Sequence, residues 1–390
     1  RDTQWRMASV ELPDVAAIAA LRDPLGVLSV YADVDPRARS GRPPWEIEIE
    51  NALRELASGT DDRRLREALD GVRPAVDGLL DPSRTGRGRA LFAPLSGGEP
   101  IEVMLPLPVR TAVVVDETAY VRALLEALEA GRPAGVVSVS RAEVEAIDWR
   151  LGAPAGSTGW DLDEETSDWR EYKGPAGGFR AQQTAPQRDR FDRRLEEHQV
   201  RFVASLAPRV DALAREHGWS TLLVGGDPRL RQPFVDALPP VSGRTVVALD
   251  AVLGGVRGDE LAALVNGRLE EARLERHRVL AEQAVELARA GGAGALGLQE
   301  TLAALQEGRV AELLLDRDRR WEGLRDADGN VYAPGAVPPG VDEGSLAVEP
   351  FLGERMIERA AATSAEVVVL EPEAAEPLAP ADGVGALLRW

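Results

Sequence analysis

Cysteine is absent from the chain, so no disulfide framework and no thiolate metal site can form. The three histidines, His198, His217 and His277, stand far apart, and none has the spacing of a metal-binding pair. No apolar run approaches the roughly 18–20 residues that a membrane-spanning helix needs. The first residues, Arg1-Asp2-Thr3-Gln4, carry no apolar signal core. These gaps lead to the expectation of a cytoplasmic protein with no membrane partner and no cofactor. No Gly-x-Ser-x-Gly elbow, Walker loop or dinucleotide fingerprint occurs, and no internal repeat. Lysine is nearly missing as well. Lys173 is the only one, and the other basic residues are arginines, a bias that a GC-rich genome explains most simply.

What is present is ordinary for a soluble globular chain: 44% hydrophobic and 28% charged residues over 390 positions. That length exceeds one compact core, so two or three domains are expected. The net charge is −19. An acidic chain repels nucleic acid on average, so any RNA contact must come from a local basic patch.

The first segment reads as α/β. Strands are expected at Leu25–Tyr31, Ala90–Pro94, Ile101–Leu107 and Ala112–Val115. Helices are expected at Trp45–Ala57 and Leu65–Leu80, the second interrupted by Pro74. Asp116 sits where an N-cap belongs, before a helix from Thr118 to Glu129. Gly131-Arg132-Pro133 closes the unit. The second segment opens with strands at Val136–Val139 and Glu145–Leu151. Gly152–Pro186 then lacks periodicity and is far longer than an ordinary connection. A long helix follows to His217. Its stripe is Phe191, Leu195, His198, Phe202, Leu206, Val210 and Leu213, with a kink expected at Pro208. Strands at Thr221–Val224 and Thr245–Leu249 flank a Gly225-Gly226-Asp227-Pro228 turn and a short helix. That turn could hold a phosphate, but a plain turn is the simpler reading. A helix capped by Asp259 runs to Arg289, with Gly267 as a candidate domain joint. A helix at Leu298–Gln306, a strand at Val310–Leu315, a polar excursion Asp316–Gly353, a helix at Glu354–Thr363 and strands at Glu366–Leu370 and Ala386–Trp390 complete the chain.

Three features in this order resemble the archaeo-eukaryotic class 1 peptide-chain release factor and Pelota superfamily, and in style its bacterial members, which include a hibernation factor. They are the strand, long loop and arginine-rich helix around Pro186–Phe202, the helix-glycine-strand of Leu298–Leu315, and the closing Asp382-Gly383-Val384-Gly385-Ala386-Leu387-Leu388-Arg389-Trp390. The resemblance implies an α/β protein of three domains: an atypical N-terminal α/β domain (1–130), a ribonuclease-H-like middle domain (131–266) and an L7Ae-like C-terminal domain (267–390). It implies a loop that enters the peptidyl transferase centre. The partners it implies are the bacterial ribosome and its rRNA, with tRNA and a translational GTPase beside them. The family's catalytic Gly-Gly-Gln tripeptide is incomplete here. Gly177 and Gly178 are followed by Phe179, so the backbone freedom survives and the side-chain amide does not. The first segment also shows no stop-codon-reading motif.

The span Arg170–Arg194 holds seven basic and three acidic residues, a basic island of the kind that contacts phosphate. The candidate RNA-binding residues are Lys173, Gly177, Gly178, Arg180, Gln182, Gln183, Arg188, Arg190, Arg193 and Arg194. The same charges also suit a solvated helix face with pairs such as Asp189–Arg193. Asp161, Asp163, Glu164, Glu165 and Asp168 lack calcium-loop spacing and read as a solvated loop. Trp149 reads as core or hinge packing. Three functions are carried forward: ribosome occupation at the acceptor site in hibernation or rescue without stop-codon-dependent release; peptidyl-tRNA hydrolysis using Gln182 or Gln183; and a regulatory protein-interaction module.

Overall fold

The computed structural model describes residues 15–34, 43–81, 83–84, 86–161, 185–241, 243–250, 258–337 and 341–390, with the backbone alone for 185–195 and 343. The fold is mixed α/β throughout. Gly131–Ala272 form one compact unit; Val10–Ala130 and Arg273–Trp390 form the other.

The first stretch contains α1 (Val15–Ala19), β1 (Arg22–Asp33), α2 (Pro44–Gly59), α3 (Arg63–Gly71), α4 (Arg73–Leu79), β2 (Gly88–Pro94), β3 (Ile101–Leu105), β4 (Ala112–Thr118) and α5 (Arg122–Ala130). Its strands make an antiparallel sheet in the order β3-β2-β1-β4. β1 alternates cleanly, as a strand buried on both faces by different partners must. Leu28 and Val30 pack with Ile49, Leu69 and Leu79 of the helices, while Val27 and Tyr31 face the other way, into the core shared with the last stretch. The expected helix at Leu65–Leu80 is two helices broken at Val72, with Pro74 in the first turn of the second, where its missing N–H costs nothing.

The middle unit contains β5 (Ala134–Val139), β6 (Glu143–Arg150), β7 (Ala153–Asp161), α6 (Ala185–His217), β8 (Thr221–Gly226), α7 (Pro228–Asp236), β9 (Thr245–Leu249) and the first part of α8 (Gly258–Arg289). The sheet order is β7-β6-β5-β8-β9. β6 runs against both neighbours, and the β5–β8 and β8–β9 pairs are parallel. This is the arrangement of a ribonuclease-H-like sheet. The apolar stripe of α6 packs on one face: Phe202, Leu206 and Val210 are buried, joined by Val203, Ala207 and Ala214. Burial of each Phe, Leu or Val among them contributes about 1.5–3 kcal/mol. On the other face Leu261 and Val265 of α8 cover Val136, Trp149 and Leu223. The helix continues through Pro208.

The last stretch holds the remainder of α8, then β10 (Gly294–Leu296), α9 (Gly297–Gln306), β11 (Val310–Asp316), β12 (Gly323–Arg325), β13 (Val331–Tyr332), β14 (Ala347–Glu349), α10 (Leu352–Ala362), β15 (Glu366–Leu370), α11 (Pro372–Ala375) and β16 (Val384–Leu388). The main sheet runs β10-β16-β11-β15, and a small one runs β13-β12-β14.

Three expectations are corrected. Asp116 is no helix cap: β4 runs on to Thr118, α5 starts at Arg122, and the Asp116 carboxylate accepts from Arg355. The stretch after Gly152 begins with a full edge strand, β7. The polar excursion after Asp316 contains a three-stranded sheet.

Gly226 joins β8 to α7 at φ 124°, and a Cβ there would stand 1.9 Å from the Val139 carbonyl oxygen. Gly226→Ala is therefore expected to cost roughly 2–5 kcal/mol through clash and strain together. Chemical denaturation of the full chain would read this, and a change below about 0.5 kcal/mol would contradict it.

Candidate RNA-binding interface

β7 and α6 frame the segment in which the sequence concentrates its basic residues. β7 is an edge strand, paired with β6 from Arg150↔Ala153 to Glu143↔Asp161. It therefore delivers the chain to the sheet end where β5 and β8 also finish. Trp160, one residue before the strand ends, packs against the core under α6. α6 returns from Ala185, and Phe202 is its first fully described stripe residue in the core. Both flanks are thus fixed to one sheet.

Of the predicted site residues, Lys173, Gly177, Gly178, Arg180, Gln182 and Gln183 lie outside the described residues. Arg188, Arg190, Arg193 and Arg194 lie on the backbone of α6, in its first turns. The acidic run after Asp161 also falls outside the described residues.

The turn between β8 and α7 closes the same sheet end. Asp227 accepts from the backbone N of Arg229 at 3.0 Å and so caps α7 itself. Its carboxylate stands 3.6 Å from Arg141. A carboxylate at the helix start disfavours a phosphate there, which settles this turn as structural.

Two clusters brace the unit. Trp149 is buried, and its Nε1 donates to Asn266 Oδ1 at 2.9 Å; Asn266 Nδ2 donates to the Gly152 carbonyl, also at 2.9 Å. One amide thus satisfies both the indole and the turn that starts β7. At the same sheet end but on the other face, Asp148 accepts from Trp219 Nε1 at 2.6 Å and Arg150 Nε at 2.7 Å. Trp219 lies so close over the sheet that a Cβ on Gly135 would meet its ring at 2.2 Å. His198 is half-buried on α6. Among the described residues no group of His, Asp and Glu is arranged to hold a metal ion.

The other unit offers a cleft of about 840 Å³. Arg22, Arg325, Arg355 and Arg359 line it, with Glu117, Asp326, Asp328 and Glu358 beside them. The signs cancel locally, so this cleft lacks the uniform positive field of an RNA surface. Sequence reasoning missed this ionic centre because charged residues on an amphipathic helix carry no sign of what will cover them.

Residues 120–274 match the family model described as bacterial archaeo-eukaryotic release factor family 10. The uncharacterized proteins MT2704 and Rv2629 of Mycobacterium tuberculosis are each 27% identical over 370 residues, covering 86% of this chain and 88% of their own. An archaeal translation termination factor, aRF1, is 18% identical, with 96% of each chain covered and a TM-score of 0.24. A structure of ribosome-bound archaeal Pelota with ABCE1 gives 14% identity, 98% and 95% coverage and a TM-score of 0.38. Over residues 120–274 the chain is thus similar to the bacterial archaeo-eukaryotic release factors, the resemblance that its sequence motifs carry.

Asn266→Ala removes the partner of both Trp149 and Gly152. It is expected to destabilise the unit by about 1–3 kcal/mol, the cost of buried polar groups left unpaired. Hydrogen exchange should show the loss at β6 and the start of β7; unchanged protection there would refute the bracing role.

Proposed function

We propose that the protein is a ribosome-associated translation factor that occupies the acceptor site in hibernation or rescue, without stop-codon-dependent release. The observation that carries this reading is the family match over 120–274, combined with Phe179 at the position of the family's catalytic glutamine. The match supports a ribosomal target. The substitution removes the amide that would order an attacking water. Supporting geometry comes from the frame: β7 and α6 hold both ends of the basic segment at one end of a rigid sheet. A loop so mounted would reach rRNA with Lys173, Arg180, Gln182 and Gln183, and Arg188, Arg190, Arg193 and Arg194 would follow along the helix start. Gly177 and Gly178 would let the backbone approach RNA closely. The last stretch, as an L7Ae-like domain, would dock near the factor-binding region, with tRNA and a translational GTPase as further partners. The domains of this reading are 1–130, 131–266 and 267–390.

Sedimentation with bacterial 70S ribosomes tests it. The wild type should pellet, and a variant with Arg188, Arg190, Arg193 and Arg194 all changed to Glu should lose most of that binding, with a reduced salt dependence of what remains. Absence of pelleting by the wild type at low and moderate salt would sink the reading. The adjacent Gln182 and Gln183 favour a second reading, peptidyl-tRNA ester hydrolysis from a shifted register. Changing both to alanine should leave ribosome occupation intact; if the wild type hydrolyses peptidyl-tRNA and this variant does not, the second reading replaces the first.

A further inference from the structure

Glu354 lies in the first turn of α10 and is 2% exposed. It sits where the last stretch meets the first. From the connection between β4 and α5, the Val121 backbone N donates to its Oε2 at 3.3 Å. From α5, Arg122 Nε stands 3.3 Å from its Oε1. Arg122 nevertheless directs its firmest interactions elsewhere. Its Nη1 donates to the Arg319 carbonyl at 2.8 Å, and its guanidinium lies 5.2 Å from the Trp321 ring centroid. Glu354 Oε1 therefore faces a guanidinium without receiving a hydrogen bond from it. The fit is tight, since a Cβ on Gly353 would stand 2.1 Å from Arg122 Nη2.

Other charged groups face the cleft beside Glu354 from several elements: Glu48 of α2, Arg110 before β4, and Arg317, Asp318 and Arg320 after β11. Arg355 on its own helix is tied to Asp116 and Glu358, and Glu349 of β14 stands 3.9 Å from it. Asp116 comes from β4. Tyr31 of β1, Tyr120 of the β4–α5 connection and Glu126 of α5 stand nearby. Burial pushes the Glu354 carboxyl up to about 7, with Asp116 adding to the rise and Arg122, the Val121 N–H and Arg355 opposing it. Burial raises Glu126 as well.

We propose that Glu354 is a proton-operated latch that holds α10 against β4 and α5, closed when its carboxyl is protonated and loosened when the proton leaves. The direction follows from linkage. An acid whose folded pKa is raised contributes stability that is full below its unfolded pKa. That contribution is lost as pH rises through the folded value. The window runs from the ordinary value of 4.5 to about 7, so the contact tightens on mild acidification.

Amide hydrogen exchange of the full chain from about pH 5.5 to 8.5, corrected for intrinsic rates, tests this. Protection of residues 352–362 and 121–124 is expected to fall on the order of tenfold across that range in the wild type. Glu354→Gln should hold the protected state at every pH, and Glu126→Gln should titrate as the wild type does. A flat wild-type profile overturns the proposal, as does a Glu354→Gln variant that still titrates or a Glu126→Gln variant that does not. Should Glu354→Gln fail to fold, the wild type and Glu126→Gln decide between the two carboxyls.

Discussion

A buried guanidinium joins the two ends of the chain. Arg355 is 6% exposed and lies among Asp116, Thr118 Oγ1, Glu358 and Glu349, which come from both the first stretch and the last. Removing one charge from such a group leaves the others uncompensated in a poor dielectric, at a cost of about 3–5 kcal/mol. The contact can therefore be kept only as a set, and that fixes the orientation of α10 on β4. The apolar core confirms the union: Phe92, Val121 and Leu124 share one cluster with Leu302, Trp321, Leu352 and Met356. Regions more than two hundred residues apart thus fold as one unit, and the chain between them forms the other. Ionic pairing specifies the geometry here, while burial of the apolar neighbours supplies most of the favourable free energy.

The middle unit solves a different problem. β7 ends at Asp161 and α6 begins at Ala185, and both are fastened to one sheet. Trp160 anchors the entry, the α6 stripe anchors the exit, and Asn266 pins the β6–β7 turn to α8. Gly226 and Gly135 permit two approaches that no side chain would allow, one to the Val139 carbonyl and one to the Trp219 ring.

The sequence made the buried strands and amphipathic helices legible because their periodicities are set by burial: β1, β5, β8, β11 and the Phe202, Leu206 and Val210 part of the α6 stripe stand where the patterns put them. β7 was hidden because Ala153–Asp161 is an edge strand of small residues, half-exposed along most of its length. With neither face clearly apolar, no alternation arises. β12, β13 and β14 are too short to show a period. Asp116 misled for a physical reason: the residues that cap helices are also those that end strands, and only the distant Arg355 decides between the two. The basic island around Arg188 was visible as a local excess of charge. Its counterpart at Arg355 and Glu354 was not, because its members are spread over hundreds of residues and become a cluster only on folding.

The near absence of lysine has a structural consequence whatever its origin. Arg89 is 1% exposed, and its guanidinium donates to the carbonyls of Leu79, Asp81, Arg84 and Gly86, closing the end of α4. Arg389 does the same for Gly308, Thr363 and Ser364, behind α9 and α10. A planar fork with five donors satisfies several carbonyls at once, which a point-like ammonium cannot do. Arginine is therefore built into the scaffold as a multi-carbonyl clamp as well as a charge. The same planar fork suits it to the paired oxygens of a phosphate. The chain as a whole nevertheless carries a net charge of −19. Many of its described arginines are engaged by carboxylates and carbonyls within the fold, and the sequence places a local excess of basic residues between Arg170 and Arg194.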